Sequence, residues 1–268
     1  MIKRYSRLYK VLISQFFKVI MQSKVDFLMG LLGFFLTQIL GIVFLYLIFD
    51  KIELLNGWSF EQLIFIYGFA QIPRGIDHLL TDNIWLVAWR WVISGDIDRY
   101  MLRPMNILFQ IISEKLQPDA LGEILIGCIL VAKSISAGVS HITITNVILF
   151  FLSIIAGTII YTSIKLFFAS LAFWVKISGP FVQFAYQMAD FAKYPTEIYT
   201  KSIGFIITWV IPFAFVAYLP ASYFLGVENS LGIGAYIIGV EWIIAIILGI
   251  ISYNMFQKGL TVYESAGN

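Results

Sequence analysis

Residues 27–49 read FLMGLLGFFLTQILGIVFLYLIF, 23 positions without a charged side chain. A helix that crosses a bilayer needs roughly 20 mostly apolar residues, so this run is predicted to span a membrane. It closes on Asp50-Lys51-Ile52-Glu53, a short polar turn, and the chain then repeats the pattern. Further apolar runs cover residues 60–84, 120–139, 145–175, 202–224 and 233–256. The second is interrupted by Gln71, Pro73, Arg74, Asp77 and His78, and the third is rich in Gly, Ala and Ser. The fourth, at about 1.5 Å per residue, is longer than a bilayer is thick and is expected to project from it. The fifth holds Pro212 and Pro220, and the sixth holds Glu241.

Composition agrees with lipid as the solvent. Of the 268 residues, 60% are hydrophobic, 17% aromatic and only 13% charged, with a mean hydropathy of +0.87. Soluble domains run about 45–50% apolar and about 25% charged, and this chain has too few polar groups to cover a water-facing surface. The net charge of +2 gives no support for nucleic-acid binding. One cysteine, Cys128, cannot form an internal disulfide and reads as a small buried hydrophobe. Lys3, Arg4, Arg7 and Lys10 are not followed by the short apolar core and small-residue cleavage site of a removable signal peptide. With no internal repeat, residues 1–268 form one transmembrane domain.

Two long polar stretches, 85–119 and 176–201, separate the spans, and the other connections are short. Six spans put both stretches and both termini on one side. Basic residues identify it. Lys3, Arg4, Arg7, Lys10, Lys18 and Lys24 lie in the N-terminal arm, Arg90, Arg99, Arg103 and Lys115 in the first stretch, Lys176, Lys193 and Lys201 in the second, and Lys258 at the C-terminus. Only Lys51 and Lys133 fall opposite, a bias that places both termini and both stretches in the cytoplasm. Within residues 1–25, Ile2, Tyr5, Leu8, Leu12, Phe16, Val19 and Ile20 recur at helical spacing among the cations, which predicts an amphipathic elbow helix in the headgroup layer. Residues 181–199 form a second interfacial candidate.

The motifs of several chemistries are missing. No Gly-Lys dipeptide occurs, so the phosphate-cradling P-loop is absent and the chain is not its own conventional ATPase. His78 and His141 lie far apart and on opposite faces of the membrane, and with one cysteine they make no metal site. Ile93-Ser94-Gly95 and Ile177-Ser178-Gly179 begin like the signature peptide of transport ATPases, but the rest of that motif does not follow.

Charged groups inside a bilayer cost a few kcal/mol each and are default candidates for function. Glu241 lies roughly 12 Å from the outer end of its span. It is either a polar element of a transport path or a structural hydrogen-bonding group. Lys165 is expected to snorkel to the headgroups. Arg74 and Asp77, three apart on one helix, are expected to pair with each other, with His78 at the interface. Pro212 and Pro220 remove backbone hydrogen bonds and predict a broken helix lining a cavity, or a re-entrant segment near the outer face. Gly30, Gly33 and Gly41 would let the first span approach another helix closely.

Two stretches carry a family likeness. Ser94-Gly95-Asp96-Ile97-Asp98-Arg99-Tyr100-Met101-Leu102-Arg103-Pro104-Met105-Asn106 resembles a Gly-x-h-Asp-x-Tyr/h-Leu-h-Arg-Pro-h-Asn pattern, where h is hydrophobic. Tyr194-Pro195-Thr196-Glu197-Ile198-Tyr199, with Ile211-Pro212-Phe213-Ala214-Phe215 and Tyr218-Leu219-Pro220-Ala221, resembles a later run of the same family. That family is the six-span ABC-2-type exporter permeases of bacteria, and the likeness covers essentially the whole chain. It implies an all-α integral membrane fold with six transmembrane helices, an N-terminal elbow and a proline-broken fifth span. It also implies export of a drug-like, toxic or lipid-like compound across the bacterial cell membrane. Two cytoplasmic ATPase copies, holding the ATP and Mg, would supply the energy, and a second permease, a related chain or another copy, would complete the path. No cofactor is expected in this chain. By the same likeness, Gly95, Asp96, Asp98, Arg99, Arg103 and Pro104 belong to the loop that couples to the ATPase, and the first and fifth spans, with Gly30, Gly33, Pro212 and Pro220, line the path.

Two other classes stay in view. A stand-alone secondary transporter or channel would show internal repeats and more ionisable groups at mid-membrane. An intramembrane enzyme would need a clustered nucleophile or metal set.

Overall fold

The computed structural model describes residues 24–140, 143–227 and 231–265. The predicted elbow and His141 lie outside them, apart from the first turn of the helix that the elbow would enter. Every regular element among the described residues is helical.

Helix α1 (Lys24–Phe49) runs up to a turn in which Asn56 and Gly57 take positive φ and Leu55 and Trp58 exchange backbone hydrogen bonds of 3.0 Å. Ser59 then starts α2 (Phe60–Thr81) with a reciprocal capping box to Gln62. In α2, every residue from Leu63 to Pro73 is buried, so it is the axis around which the other helices pack. Helix α3 (Ile84–Ser94) follows, with a π-helical turn at Val87–Trp91, and Gly95 ends it in the left-handed conformation. One turn at Asp98–Met101 and helix α4 (Ile107–Glu114) lead into α5 (Leu121–Ser136). Helix α6 (Ile144–Val175) returns, and α7 (Gly179–Ala189) comes next. Then come α8 (Lys201–Val210), α9 (Phe213–Phe224) and α10 (Ile237–Val262).

By length and composition α1, α6 and α10 could each cross a membrane, and α8 with α9 would make a fourth span if the pair is counted as one. Helix α6, with 32 residues, is about 48 Å long and overshoots the hydrocarbon as expected. The other two predicted spans are also helices. Helix α2 carries charges, and α5, with 16 residues, extends only about 24 Å.

These two pack most closely, through glycine. A Cβ on Gly127 would sit 2.8 Å from the Gly68 carbonyl oxygen and 2.8 Å from Ile72 Cγ1. A Cβ on Gly75 would meet Ile124 Cγ1 at 2.7 Å. Small residues let two backbones touch, which is the favoured way to join helices in lipid. Of the glycines singled out in α1, Gly41 lies against the Tyr67 hydroxyl and Gly30 against Asp119, whereas a Cβ on Gly33 would meet nothing within 4 Å.

Two segments differ from expectation. Residues 85–119 are a folded unit and not a solvated loop. Ile84, Val87, Ala88, Trp91, Ile97, Tyr100 and Ile111 pack with Phe173, Tyr186 and Phe256, because apolar residues recur there at helical spacing. Residues 176–201 do not stay at one end of the bundle. Ser178 N–H donates to the Ala88 carbonyl beyond the C-terminal end of α2, whereas the Glu197 carbonyl accepts from Asn56 Nδ2 at its N-terminal end. Between these points the chain climbs α2, with Tyr186 at Asp77, Asp190 at Arg74 and Lys193 over the Tyr67 ring. Along α7, Val182, Ala185, Tyr186 and Ala189 are buried, and Phe181 and Phe184 are exposed.

Helices α8 and α9 meet at Pro212 with a bend of 74°. Helix α8 starts just past Glu197, near the 50–59 turn. Phe213 reaches Tyr161 midway along α6, and the Phe224 carbonyl accepts from Ser140 beside the turn between α5 and α6. Both limbs thus open toward the same end of the bundle, the geometry of a re-entrant hairpin. Cys128, expected inside, is exposed on the outward face of α5.

Gly127→Ala is expected to cost about 1–3 kcal/mol by overpacking, lowering the melting midpoint of the purified protein. Gly33→Ala, with open space around its Cβ, should leave the midpoint unchanged or raise it.

Candidate functional site

Helix α2 presents Arg74, Asp77, His78 and Thr81 within two turns; the first three reach partners on other elements, and Thr81 donates to Asp77 of its own helix. Asp77, fully buried, accepts from Lys165 Nζ at 2.9 Å, from Thr81 Oγ1 and Thr162 Oγ1 at 2.7 Å each, and from the Tyr186 hydroxyl. Lys165, equally buried, also lies 5.8 Å above the Tyr186 ring. Arg74 Nη1 donates to Asp190 Oδ1 at 2.7 Å, and Arg74 Nε lies 3.8 Å from Glu123 Oε1. His78 Nδ1 lies 3.1 Å from Glu123 Oε2, and the His78 ring stacks on Tyr186 at 5.5 Å and 5°. Lys193 Nζ closes the group at 2.8 Å from Asp190 Oδ1.

Three acids (Asp77, Glu123, Asp190) and three bases (Arg74, Lys165, Lys193) thus meet between α2, α5, α6 and the segment 179–198 that climbs α2 (the ascending segment). Their formal charges cancel. Isolated, each would be costly in a low-dielectric interior, and together they satisfy one another. The expected Arg74–Asp77 pair does not form, because both side chains reach different neighbouring elements. Lys165 does not snorkel. Its side chain turns inward to Asp77, a fully desolvated partner that the sequence does not place beside it.

Sequence reading missed Glu123, Asp190, Lys193 and Tyr186 as members. One signal was available: Glu123 is an acid inside a Gly-rich apolar run, the pattern that marked Glu241 as unusual. Glu241 itself is buried and accepts a 2.6 Å hydrogen bond from Ser153 of α6. Gln38 of α1 forms a smaller polar contact, accepting from Tyr67 at 2.6 Å and from Gln71 at 2.8 Å.

The residues that the family likeness assigns to a coupling loop fall at the end of the bundle beyond Thr81. Gly95, at φ 77°, makes the turn. Asp96 accepts from Ser94 Oγ at 2.7 Å and lies 3.7 Å from Arg90. Asp98 accepts from Ser265, and Asn106 Nδ2 donates to the Tyr253 hydroxyl at 2.9 Å, tying the unit to the C-terminal end of α10. Arg99 lies 3.2 Å from Glu114 and over the rings of Trp91 and Tyr100. Tyr100 is buried and donates to Glu114, and burial with that carboxylate pushes its phenol upward, which keeps it a donor. From this base Met101, Leu102, Arg103 and Pro104 project, with Leu102 85% exposed. Pro212 sits at the hairpin break and Pro220 is buried within α9.

Among the described residues no group of three or more His, Cys, Asp or Glu side chains could hold a metal ion.

Lys165→Met leaves Asp77 without its cation and is expected to destabilise the protein by about 3–5 kcal/mol. Lys165→Met with Asp77→Leu should recover a large part of that loss. A double variant no more stable than the single one would show that Asp77 does not depend on Lys165.

Residues 35–267 match the profile of the ABC-2 family transporter proteins. Comparison with curated proteins and with solved structures gave no match. The matched stretch includes all six charged members of the cluster, the 85–119 unit and the re-entrant hairpin. It agrees with a multi-pass membrane protein. The chain belongs to the ABC-2 family of transporter proteins, the membrane permease components of ABC transporters.

Proposed function

We propose that this chain is the permease subunit of an ATP-driven exporter, energised by two copies of a separate ATPase that dock on the 85–119 unit from the cytoplasm. The observation that carries this reading is the Met101–Pro104 tip. An apolar side chain as exposed as Leu102, held on a rigid base and flanked by Arg99 and Arg103, is a poor surface for water and a good one for a protein groove. The Arg99–Glu114 and Tyr100–Glu114 contacts brace that base, so a push on the tip would reach α3 and α4 as a unit.

Topology fits the same direction. The tip, the end of α6 and the C-terminal end of α10 gather at one end of the bundle. With the ascending segment 179–198 counted as a crossing beside α1, α2, α5, α6 and α10, the described chain crosses six times and the hairpin dips in from the outside. Both termini then lie in the cytoplasm of a bacterial cell. The exposed face of α1, including Leu28, Leu32, Leu36 and Leu40, together with the open Gly33, would receive the second permease, either a related chain or another copy. The cargo would pass between the two permeases as a drug-like, toxic or lipid-like compound, expelled outward.

The buried charges give one observation in favour of a secondary transporter. All six charged members are paired with one another, however, and no repeat relates two halves of the chain.

Purified chain alone is expected to hydrolyse no ATP. Leu102→Asp with Arg103→Ala, which spares the braced base, should reduce co-purification of the ATPase at least tenfold with an unchanged melting midpoint. Undiminished co-purification would remove the docking assignment. Transport driven by a proton gradient without any ATPase would replace the exporter reading altogether.

A further inference from the structure

A cavity of about 140 Å³ lies at the outer end of the bundle, between α2, α5, α6 and α9, lined by Phe65, Val131, Ile135, Val147, Phe150 and Phe224, with Ser140 and Asn146 at its rim. Phe65, Val131 and Phe224 are buried and Phe150 is half-buried, whereas Val147 is 43% exposed. The walls are braced by ring contacts, Phe69–Phe150 at 5.1 Å and Phe150–Phe224 at 5.7 Å. The polar rim is already engaged: Ser140 Oγ donates to the Phe224 carbonyl at 2.8 Å, and Asn146 Oδ1 accepts from the Tyr223 hydroxyl at 3.3 Å. The space beneath therefore offers a ligand apolar surface. Cavities of this size and lining stay dry and take up apolar molecules.

The mouth indicates the occupant. Val147 belongs to the exposed ridge of α6, with Ile144, Ile148 and Phe151 between 56% and 83% exposed beside it. In a membrane-spanning helix that ridge faces lipid, and Ser140 and Asn146 lie at its polar end. We propose that this cavity takes up a segment of a few methylenes from one acyl chain of an outer-leaflet phospholipid, which enters past Val147 while the rest of the chain lies along the exposed ridge of α6 and the headgroup stays near Ser140 and Asn146. The bound chain would wedge the outer end of α9 against α5 and α6, so the lipid would be a structural ligand of the hairpin. This proposal rests on the membrane placement of α6 and not on the exporter reading, and it would stand if ATPase docking failed.

The test reconstitutes the full chain in nanodiscs of phosphatidylcholine containing a phosphatidylcholine with a photoactivatable diazirine in its acyl chain, followed by peptide mapping of the adducts. Adducts are expected on Phe65 and Val131, which bilayer lipid cannot reach without entering the cavity, at no less than a third of the level on exposed Phe44 of α1. Val131→Phe, which fills the space, should abolish the adduct on Phe65 and leave that on Phe44 unchanged. Should that variant fail to fold, Val147→Trp at the half-exposed mouth is expected to reduce the same adduct at least fivefold. Labelling confined to Val147, Ile148 and Phe151, or labelling of Phe65 that survives both substitutions, would overturn the proposal.

Discussion

The contact between Lys165 and Asp77 is the interaction on which the rest of the arrangement depends. A lysine and an aspartate, neither with any accessible surface, are stable between apolar helices only while both are present and their remaining valences are filled. Thr81, Thr162 and Tyr186 fill those of Asp77. The pair therefore fixes the register of α6 against α2 and brings in the ascending segment through Tyr186. Hydrophobic contact could not do this in lipid, because burying apolar surface against a helix gains little over burying it against acyl chains. Charge and close glycine contact supply the specificity that the hydrophobic effect supplies in water.

The pair also lies on a boundary. The buried apolar residues divide into two clusters. One contains Leu63 to Ile72, Tyr161, Ile164, Ala185 and the hairpin from Phe213 to Phe224, and the other contains Ile84 to Val92, Ile97, Tyr100, Leu166, Phe173, Tyr186 and Phe256. From α2 into α3 the change falls between Ile72 and Ile84, and along α6 between Ile164 and Leu166, while on α7 the clusters interleave, with Ala185 and Ala189 in the first and Val182 and Tyr186 in the second. Asp77 and Lys165 sit in the first two of those gaps, and Tyr186 reaches Asp77 from the second cluster. The ionic group is a polar seam joining a unit that carries the projecting loop to one that carries the re-entrant hairpin.

Much of this was legible in the sequence and some was not. Apolar length revealed α1, α6 and α10, and Pro212 marked the break between α8 and α9. Periodicity is present inside 85–119, but Arg90, Asp96, Asp98 and Arg99 punctuate it and make the stretch look polar. Segment 176–201 reads as an end-of-bundle stretch for a related reason. It runs along α2 with Asp190 and Lys193 in the ionic group, and a hydropathy rule counts such charges as evidence for water when their partner, here Arg74, lies far off in sequence. The same limit hid the Lys165–Asp77 pair, since proximity across 88 residues is a property of the fold. Glycine contacts were visible only as composition: α1 drew attention for its glycines, yet Gly68 and Gly127 make the tight approach.

A seam of paired charges has a mechanical consequence that an apolar junction lacks. Apolar surfaces slide with small, graded losses, whereas separating Asp77 from Lys165 in a low dielectric is steep and nearly all-or-none. Arg74 is different, because it is hydrogen-bonded to Asp190 at 2.7 Å and only near Glu123 at 3.8 Å. A small displacement of the ascending segment would lengthen the Asp190 contact and leave Glu123 on α5 within reach of the guanidinium. The seam thus combines a rigid joint at Asp77 with a joint at Arg74 that can exchange partners, and Asp190, whose side chain is half exposed, lies on the side where exchange costs least. Motion entering at the loop unit would pivot about the first joint and be taken up at the second, carrying the ascending segment and, through Glu197 and Tyr218, the hairpin at the far end.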